Sequence, residues 1–232
     1  MLPLRDDVRK RSWPLVTLAL IALNVVVYLH EAALGPRLEA AVHIWGLVPA
    51  RLVYWTELGG APLDPARFAP LVSSMFWHAG ILHLAGNMLY LWIFGASLED
   101  RLGHARFLLF YLGAGMAAGL AQVALLPDAT IPTVGASGAI AGVLGAYLVT
   151  FPRARVLAFV PIFILPWIVE IPAVVYLVFW FVLQLMSGLA ELGLPGDMGA
   201  GVAWWAHAGG FLAGVVLVKL MEPSLSRRRL AF

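Results

Sequence analysis

Cysteine is absent from the 232-residue chain, which excludes disulfides, a thiolate nucleophile and cysteine metal sites. Charged residues are scarce: they make up 12% of the chain, whereas hydrophobic residues make up 62%. Lysine occurs only at Lys10 and Lys219, so arginine supplies nearly all of the positive charge. The mean hydropathy of +0.89 excludes an ordinary soluble domain. The composition indicates a membrane protein.

The few charged residues interrupt the chain at intervals of about 20 residues, the length that a membrane-spanning helix needs. This spacing predicts an all-α, multi-pass protein with six transmembrane helices, forming a single domain over residues 1–232 with short terminal tails. A long connection rich in proline and glycine, Glu31–Arg67, joins the first two spans. The six spans are predicted at or within Trp13–Leu29, Phe76–Leu98, Phe107–Leu126, Val134–Phe151, Ile171–Leu189 and Val202–Leu220.

One further apolar stretch, Val156–Val169, is short and is interrupted by Pro161 and Pro166. These features predict an interfacial or buried connection rather than a seventh span. The next charged residue, Glu170, then stays on the same side of the membrane as Arg153.

The distribution of basic residues predicts the orientation. Six spans place both termini on one side, and twelve of the 15 Lys and Arg residues then fall on that side. Only Arg37, Arg51 and Arg67 fall on the other. The positive-inside rule therefore predicts that both termini are cytoplasmic. The lack of an Arg/Ser-rich transit sequence favours a bacterial or archaeal cytoplasmic membrane over an organelle.

Four polar side chains within the spans share one predicted depth. With a rise of about 1.5 Å per residue, Ser137 and His207 each lie about five residues past the outer start of their spans. His83 and Asn87 fall in the same layer when the second span is counted back from Glu99, and their spacing of four puts them on one helix face. Polar residues at this depth are rare and usually functional.

These side chains have the chemistry of peptide-bond hydrolysis. Ser137 can act as the nucleophile and His207 as the general base that later protonates the leaving amine. His83, Asn87 and the backbone N–H of Ser137 are candidates for stabilising the oxyanion. Because no Asp or Glu is expected in the outer half of any span, the prediction is a Ser–His dyad without a third member.

Small residues recur at helical spacing beside both members of this dyad. A serine oxygen must come within about 3 Å of an imidazole nitrogen to be activated, and small-residue stripes let membrane helices approach that closely. The stripes consist of Gly138, Ala141, Gly142 and Gly145 on the fourth span, and Gly210 and Gly214 on the sixth.

Taken together, these motifs resemble the rhomboid family of intramembrane serine proteases, and they occur in the family's order along the chain. The resemblance extends from about Leu15 to Lys219. Its residues are Gly-x-Ser-Gly at Gly135–Gly138, Ala-His-x-x-Gly-x-x-x-Gly at Ala206–Gly214, His-x4-His-x3-Asn at His78, His83 and Asn87, and the Glu-x-Arg-x-Gly turn at Glu99–Gly103.

The resemblance implies a six-helix fold, a water-accessible cavity that opens outward, and a first loop lying partly in the membrane. It also implies single-span membrane proteins as substrates, with no nucleic acid partner. No cofactor or metal is expected, because the chain has no His-Glu-x-x-His motif. The sequence departs from the family at two places. Ala141 replaces an aromatic residue that often packs on the catalytic histidine, and Arg67-Phe68-Ala69-Pro70 stands near the place of a Trp-Arg pair.

Other interpretations of single residues stay open. Ser137 could cap a helix, and His207 could be a polar residue in helix packing. Ser187, in a second Ser-Gly pair, is an alternative nucleophile. His78 is expected to be structural, near the first loop. Gln184 could support the site, line its entrance or simply pack.

For the whole chain, the main alternative is a catalytically inactive rhomboid-like protein that binds membrane clients without cleaving them. The presence of both Ser137 and His207 argues against it. A small transporter would distribute polar residues through the midplane and show internal repeats, and neither feature is visible.

Overall fold

The computed structural model describes residues 1–62, 64–162, 165–192 and 202–222, without the side chains of residues 161–166. The strands are β1 (Leu2–Asp6), β2 (Arg155–Ile162) and β3 (Leu165–Pro172). The helices are α1 (Leu15–Ala33), α2 (Leu38–Trp45), α3 (Pro49–Val53), α4 (Pro70–Ser73), α5 (Ile81–Tyr90), α6 (Ala96–Leu102), α7 (His104–Leu125), α8 (Ser137–Thr150), α9 (Ala173–Leu192) and α10 (Trp204–Met221). A π-helical turn, Leu91–Gly95, joins α5 to α6 in one continuous helix.

Within the described residues, five helices are long and apolar enough to cross a membrane: α1, the continuous α5–α6 helix, α7, α9 and α10. The predicted helical multi-pass membrane fold is confirmed. The one predicted span missing from these five is the fourth, which corresponds to α8; this helix has only 14 residues and is about 21 Å long. Its residues from Gly138 to Tyr147 are all buried. Because neighbouring helices rather than lipid surround it, α8 need not match the bilayer thickness.

Helix α8 begins three residues later than the span predicted to start at Val134. Gly135 has a φ of +128°, which is incompatible with a helix. Ser137 is therefore the first residue of its helix rather than the fifth, and its depth does not follow from counting residues along a span.

An antiparallel sheet in the order β1-β2-β3 accompanies the helices. The stretch Val156–Val169 lies in its β2–β3 hairpin, so the prediction that it is not a seventh span is confirmed. The N-terminal segment, expected to be a tail, contributes β1. A sheet with open edges leaves backbone groups unpaired, which hydrocarbon does not tolerate. The sheet therefore lies outside the hydrocarbon layer.

The first turn of α1 is held by a buried carboxylate from the turn at the end of α6. Glu99 accepts hydrogen bonds from the backbone N–H groups of Val16 (2.8 Å) and Thr17 (2.7 Å) and from the Thr17 hydroxyl (2.6 Å). His104 Nδ1 lies 2.5 Å from the same carboxylate. Gly103, with a φ of +82°, makes the turn that this arrangement requires. These contacts explain the glutamate and the glycine of the Glu-x-Arg-x-Gly motif.

We expect Glu99→Ala to lower the free energy of unfolding by about 3–5 kcal/mol, because it leaves the buried donors of α1 without an acceptor. The matched control is Glu222→Ala, which removes the partially exposed ion pair with Arg101 and should cost about 0–1 kcal/mol. Thermal unfolding in detergent measures both. Equal losses in the two variants would contradict the capping role of Glu99.

The first loop is tied to the segment that leads into α8. Leu47 and Thr133 exchange backbone hydrogen bonds. Arg67 Nε donates to the Leu52 carbonyl at 2.9 Å, and its guanidinium lies 5.4 Å from the Phe68 ring centroid. The Arg-Phe sequence thus braces this loop in a chain without the Trp-Arg pair.

Candidate active site

The structure brings Ser137 and His207 together. Ser137 opens α8, His207 lies in the first turn of α10, and the distance from Ser137 Oγ to His207 Nε2 is 2.7 Å. His207 is 9% exposed, so its ring is held by protein. The N-cap of α8 is Ala136, and no side chain caps this helix. The Ser137 hydroxyl therefore contacts an imidazole instead of capping a helix.

Backbone contact between α8 and α10 makes this short distance possible. A Cβ atom added to Gly214 would lie 1.9 Å from the Gly142 carbonyl oxygen, and one added to Gly210 would lie 2.2 Å from that of Gly138. A Cβ at Gly145 would meet the Phe211 carbonyl oxygen at 2.0 Å. Any side chain at these positions would push the helices apart. The small-residue stripes thus face each other, as predicted.

The other ring nitrogen of His207 contacts α9. Gln184, which is 7% exposed, places its Oε1 2.8 Å from His207 Nδ1. Its Nε2 donates to the backbone carbonyl of Trp180 at 3.2 Å. Both nitrogens of His207 are therefore occupied, by Ser137 and Gln184. This leaves neither for Ser187, the alternative nucleophile.

Aromatic rings flank His207 in the absence of one at position 141. The Trp180 ring centroid lies 5.9 Å from that of His207, and the Trp204 centroid lies 6.2 Å away in an edge-on arrangement. Ala141 is fully buried. The aromatic packing that the family often supplies from the helix of the serine comes here from α9 and α10.

His83 and Asn87 lie against the loop just before Ser137. A Cβ added to Gly135 would be 2.9 Å from His83 Nε2 and 3.6 Å from Asn87 Nδ2, so only glycine fits between them. His83 Nδ1 accepts the Ala79 N–H at 3.4 Å, which leaves the proton of a neutral ring on Nε2, next to Gly135. Asn87 Nδ2 is buried without a hydrogen-bond partner among the described residues. Two N–H donors thus face the approach to Ser137.

His78 has a different environment from His83. Its backbone N–H donates to the carboxylate of Glu31 at 3.1 and 3.2 Å, and its ring packs edge-on against His83 at 5.2 Å between centroids. His78 thus lies between α1 and the ring of His83, and its structural role stays a prediction.

Two predicted spans continue further than expected, and each gains a carboxylic acid near its C-terminal end. Helix α1 continues to Ala33 and α9 to Leu192, so these helices include Glu31 and Glu191. Each helix extends past the last residue of its apolar run, because backbone hydrogen bonding and packing continue there. Neither carboxylate is the partner of His207 Nδ1, which binds Gln184.

The model of the rhomboid domain matches residues 65–223, a segment that contains all four candidate residues. The chain is 46% identical over 78 residues to Rhomboid protease GluP of Bacillus subtilis. This aligned segment covers 34% of this chain and 15% of that protein. It is 39% identical over 98 residues to Rhomboid protein 1, mitochondrial, of Saccharomyces cerevisiae, covering 39% of this chain and 27% of that one. It is 33% identical over 105 residues to human presenilin-associated rhomboid-like protein, mitochondrial. That aligned segment covers 44% of this chain and 28% of the human protein. The matched segments span less than a third of each of these three relatives.

Proposed function

Because this chain belongs to the rhomboid family, we propose that it is a serine endopeptidase that hydrolyses peptide bonds in the transmembrane segments of membrane proteins. The observation that carries the proposal is the 2.7 Å contact between Ser137 Oγ and His207 Nε2. A serine hydroxyl within hydrogen-bond reach of a positioned base is the arrangement that activates a nucleophile.

In the proposed reaction, Ser137 Oγ attacks the scissile carbonyl carbon while its proton passes to His207 Nε2. The resulting oxyanion accepts hydrogen bonds from His83 Nε2–H and Asn87 Nδ2–H and from the Ser137 backbone N–H. His207 then protonates the leaving amine, and an acyl-enzyme remains. A water molecule gives a proton to His207 while its oxygen attacks the ester carbonyl carbon. His207 then returns the proton to Ser137 Oγ as the ester bond breaks and the product with the new carboxyl group leaves.

The protein is a multi-pass integral membrane protein, and the lipid bilayer is its environment. We place both termini in the cytoplasm and the active site near the outer face, because twelve of the 15 basic residues lie on the side of the termini. The cytoplasmic membrane of a bacterium or archaeon fits this arrangement, and residues 1–232 form one membrane domain. The basic C-terminal tail, Arg227–Arg229, lies outside the described residues.

The proposed substrates are membrane proteins with a single span. The dyad lies at one end of the helical bundle. It can reach a substrate segment that has unwound more readily than one that is still helical, because the turns of a helix shield its own peptide bonds. A fluorophosphonate probe and a generic single-span substrate test the proposal with purified protein in detergent. Wild type should be labelled and should cleave, whereas Ser137→Ala should do neither. An unlabelled, inactive wild type that still binds the substrate would indicate a client-binding protein instead.

The oxyanion donors have their own test. We expect Asn87→Ala and His83→Ala each to lower kcat by about 10²–10³-fold with little change in KM, because these donors act mainly in the transition state. Asn24→Ala is the matched control: Asn24 is also a buried asparagine, but it bonds within α1, to the Leu20 carbonyl.

The control should lower the melting temperature without a specific loss of kcat. If Asn87→Ala or His83→Ala lowers kcat no more than the control does at a comparable loss of melting temperature, the residue is structural.

A further inference from the structure

Gln184 links His207 to α9 through two hydrogen bonds with fixed roles. Its Oε1 lies 2.8 Å from His207 Nδ1, and its Nε2 donates to the Trp180 carbonyl at 3.2 Å. Exchanging the amide O and N would bring Oε1 against the Trp180 carbonyl oxygen, two acceptors in contact. The amide therefore presents its oxygen to the imidazole.

An acceptor at Nδ1 determines which nitrogen of a neutral imidazole carries the proton. The proton must sit on Nδ1 to donate to Gln184, which leaves the lone pair of Nε2 pointing at Ser137 Oγ, 2.7 Å away. We propose that Gln184 is the third member of a Ser137–His207–Gln184 triad. It is a positioning residue: it selects the tautomer and the orientation in which His207 can take the serine proton. The proposal rests on the proposed proteolytic function.

The chemistry of an amide suits this location. A carboxylate at the same place would be a buried charge among the transmembrane helices, which is costly, whereas a neutral amide costs little when its oxygen and its nitrogen each have a hydrogen-bond partner. Both atoms of Gln184 have one. An uncharged acceptor favours the protonated imidazole less than a carboxylate does, so its removal should cost less than the roughly 10⁴-fold that follows from loss of the correct tautomer in an aspartate triad.

Two substitutions distinguish positioning from packing. Gln184→Met keeps the volume and removes the acceptor, whereas Gln184→Glu keeps an acceptor and adds a charge. If Gln184 positions His207, Gln184→Met should lower kcat by about 10–100-fold with KM unchanged, and Gln184→Glu should be the more active variant. If Gln184 only packs, the order is reversed, because methionine packs well and a buried carboxylate does not.

The pH profile provides a readout that packing does not move. A carboxylate beside Nδ1 favours the protonated imidazole, so in Gln184→Glu the acidic limb of kcat/KM should shift to higher pH than in wild type. Leu183→Met, on the lipid-facing side of the same helix (46% exposed), is the control and should match wild type. The proposal would be overturned if the acidic limb of kcat/KM did not shift in Gln184→Glu and Gln184→Met remained fully active.

Nitrogen-15 NMR of histidine-labelled protein tests the triad without using activity. The variant His207→Gln assigns the signal, because the signal of His207 is missing from its spectrum. Wild type should show His207 as the Nδ1–H tautomer, and Gln184→Met should show a population of the Nε2–H form. The same tautomer in both would overturn the role of Gln184 even in an active enzyme. If Gln184→Met changes the tautomer but wild type neither cleaves substrate nor reacts with the fluorophosphonate probe, the result would support the triad geometry and reject the proteolytic function.

Discussion

Ser137→Ala and His207→Ala are each expected to lower kcat/KM for a single-span substrate by about 10⁴–10⁶-fold, and the double variant should be no worse than either single one. The two residues act as one unit: the serine is a weak nucleophile without the base, and the base has no proton to accept without the serine. Quantitative cleavage assays with all three variants at equal protein concentration measure this non-additivity.

Ser187→Ala is the matched control for the nucleophile, because it removes another hydroxyl next to a glycine on a neighbouring helix. It should retain wild-type cleavage. Near-wild-type activity in Ser137→Ala, or loss of activity in Ser187→Ala at unchanged melting temperature, would assign the nucleophile elsewhere. Additive losses at Ser137 and His207 would mean that the two side chains act independently despite their contact.

Gly214→Ala is expected to destabilise the bundle by about 3 kcal/mol or more and to lower activity by at least about 10²-fold. The added methyl group would lie 1.9 Å from the Gly142 carbonyl oxygen, and a backbone atom cannot move aside as a flexible side chain can. Helix α10 would have to shift away from α8, which carries His207 away from Ser137. Thermal unfolding and cleavage kinetics on one preparation record both effects.

Gly113→Ala on α7 is the matched control, since its added Cβ would meet only Leu217 Cδ1 at the ordinary distance of 3.7 Å. Alanine favours a helix over glycine by about 1 kcal/mol, so this variant should be as stable as wild type or more stable. A Gly214→Ala protein that remained as stable and as active as Gly113→Ala would show that α8 and α10 need not touch for the site to form.

Composition and spacing alone predicted the membrane class, the approximate helices and the residues of the candidate site. Apolar runs about 20 residues long can be recognised without a partner, because lipid imposes the same requirement along the whole run. A serine, a histidine and an asparagine in such runs are conspicuous for the same reason: their cost in lipid does not depend on the neighbouring helices. The glycine stripes at helical spacing likewise predicted where two backbones approach.

The features that only the tertiary structure decided depend on contacts between residues distant in the chain. Strand β1 pairs with β2 about 150 residues later, and no local pattern predicts that register. The end of a helix past its apolar run, which brings Glu31 and Glu191 into helices, depends on packing at the bundle's edge. Above all, the sequence left open whether Gln184 supports the site, lines its entrance or packs, and it did not identify the partner of His207 Nδ1. Gln184 lies 23 residues away on another helix, and only the rotation of α9 against α10 turns its amide toward the imidazole rather than toward lipid.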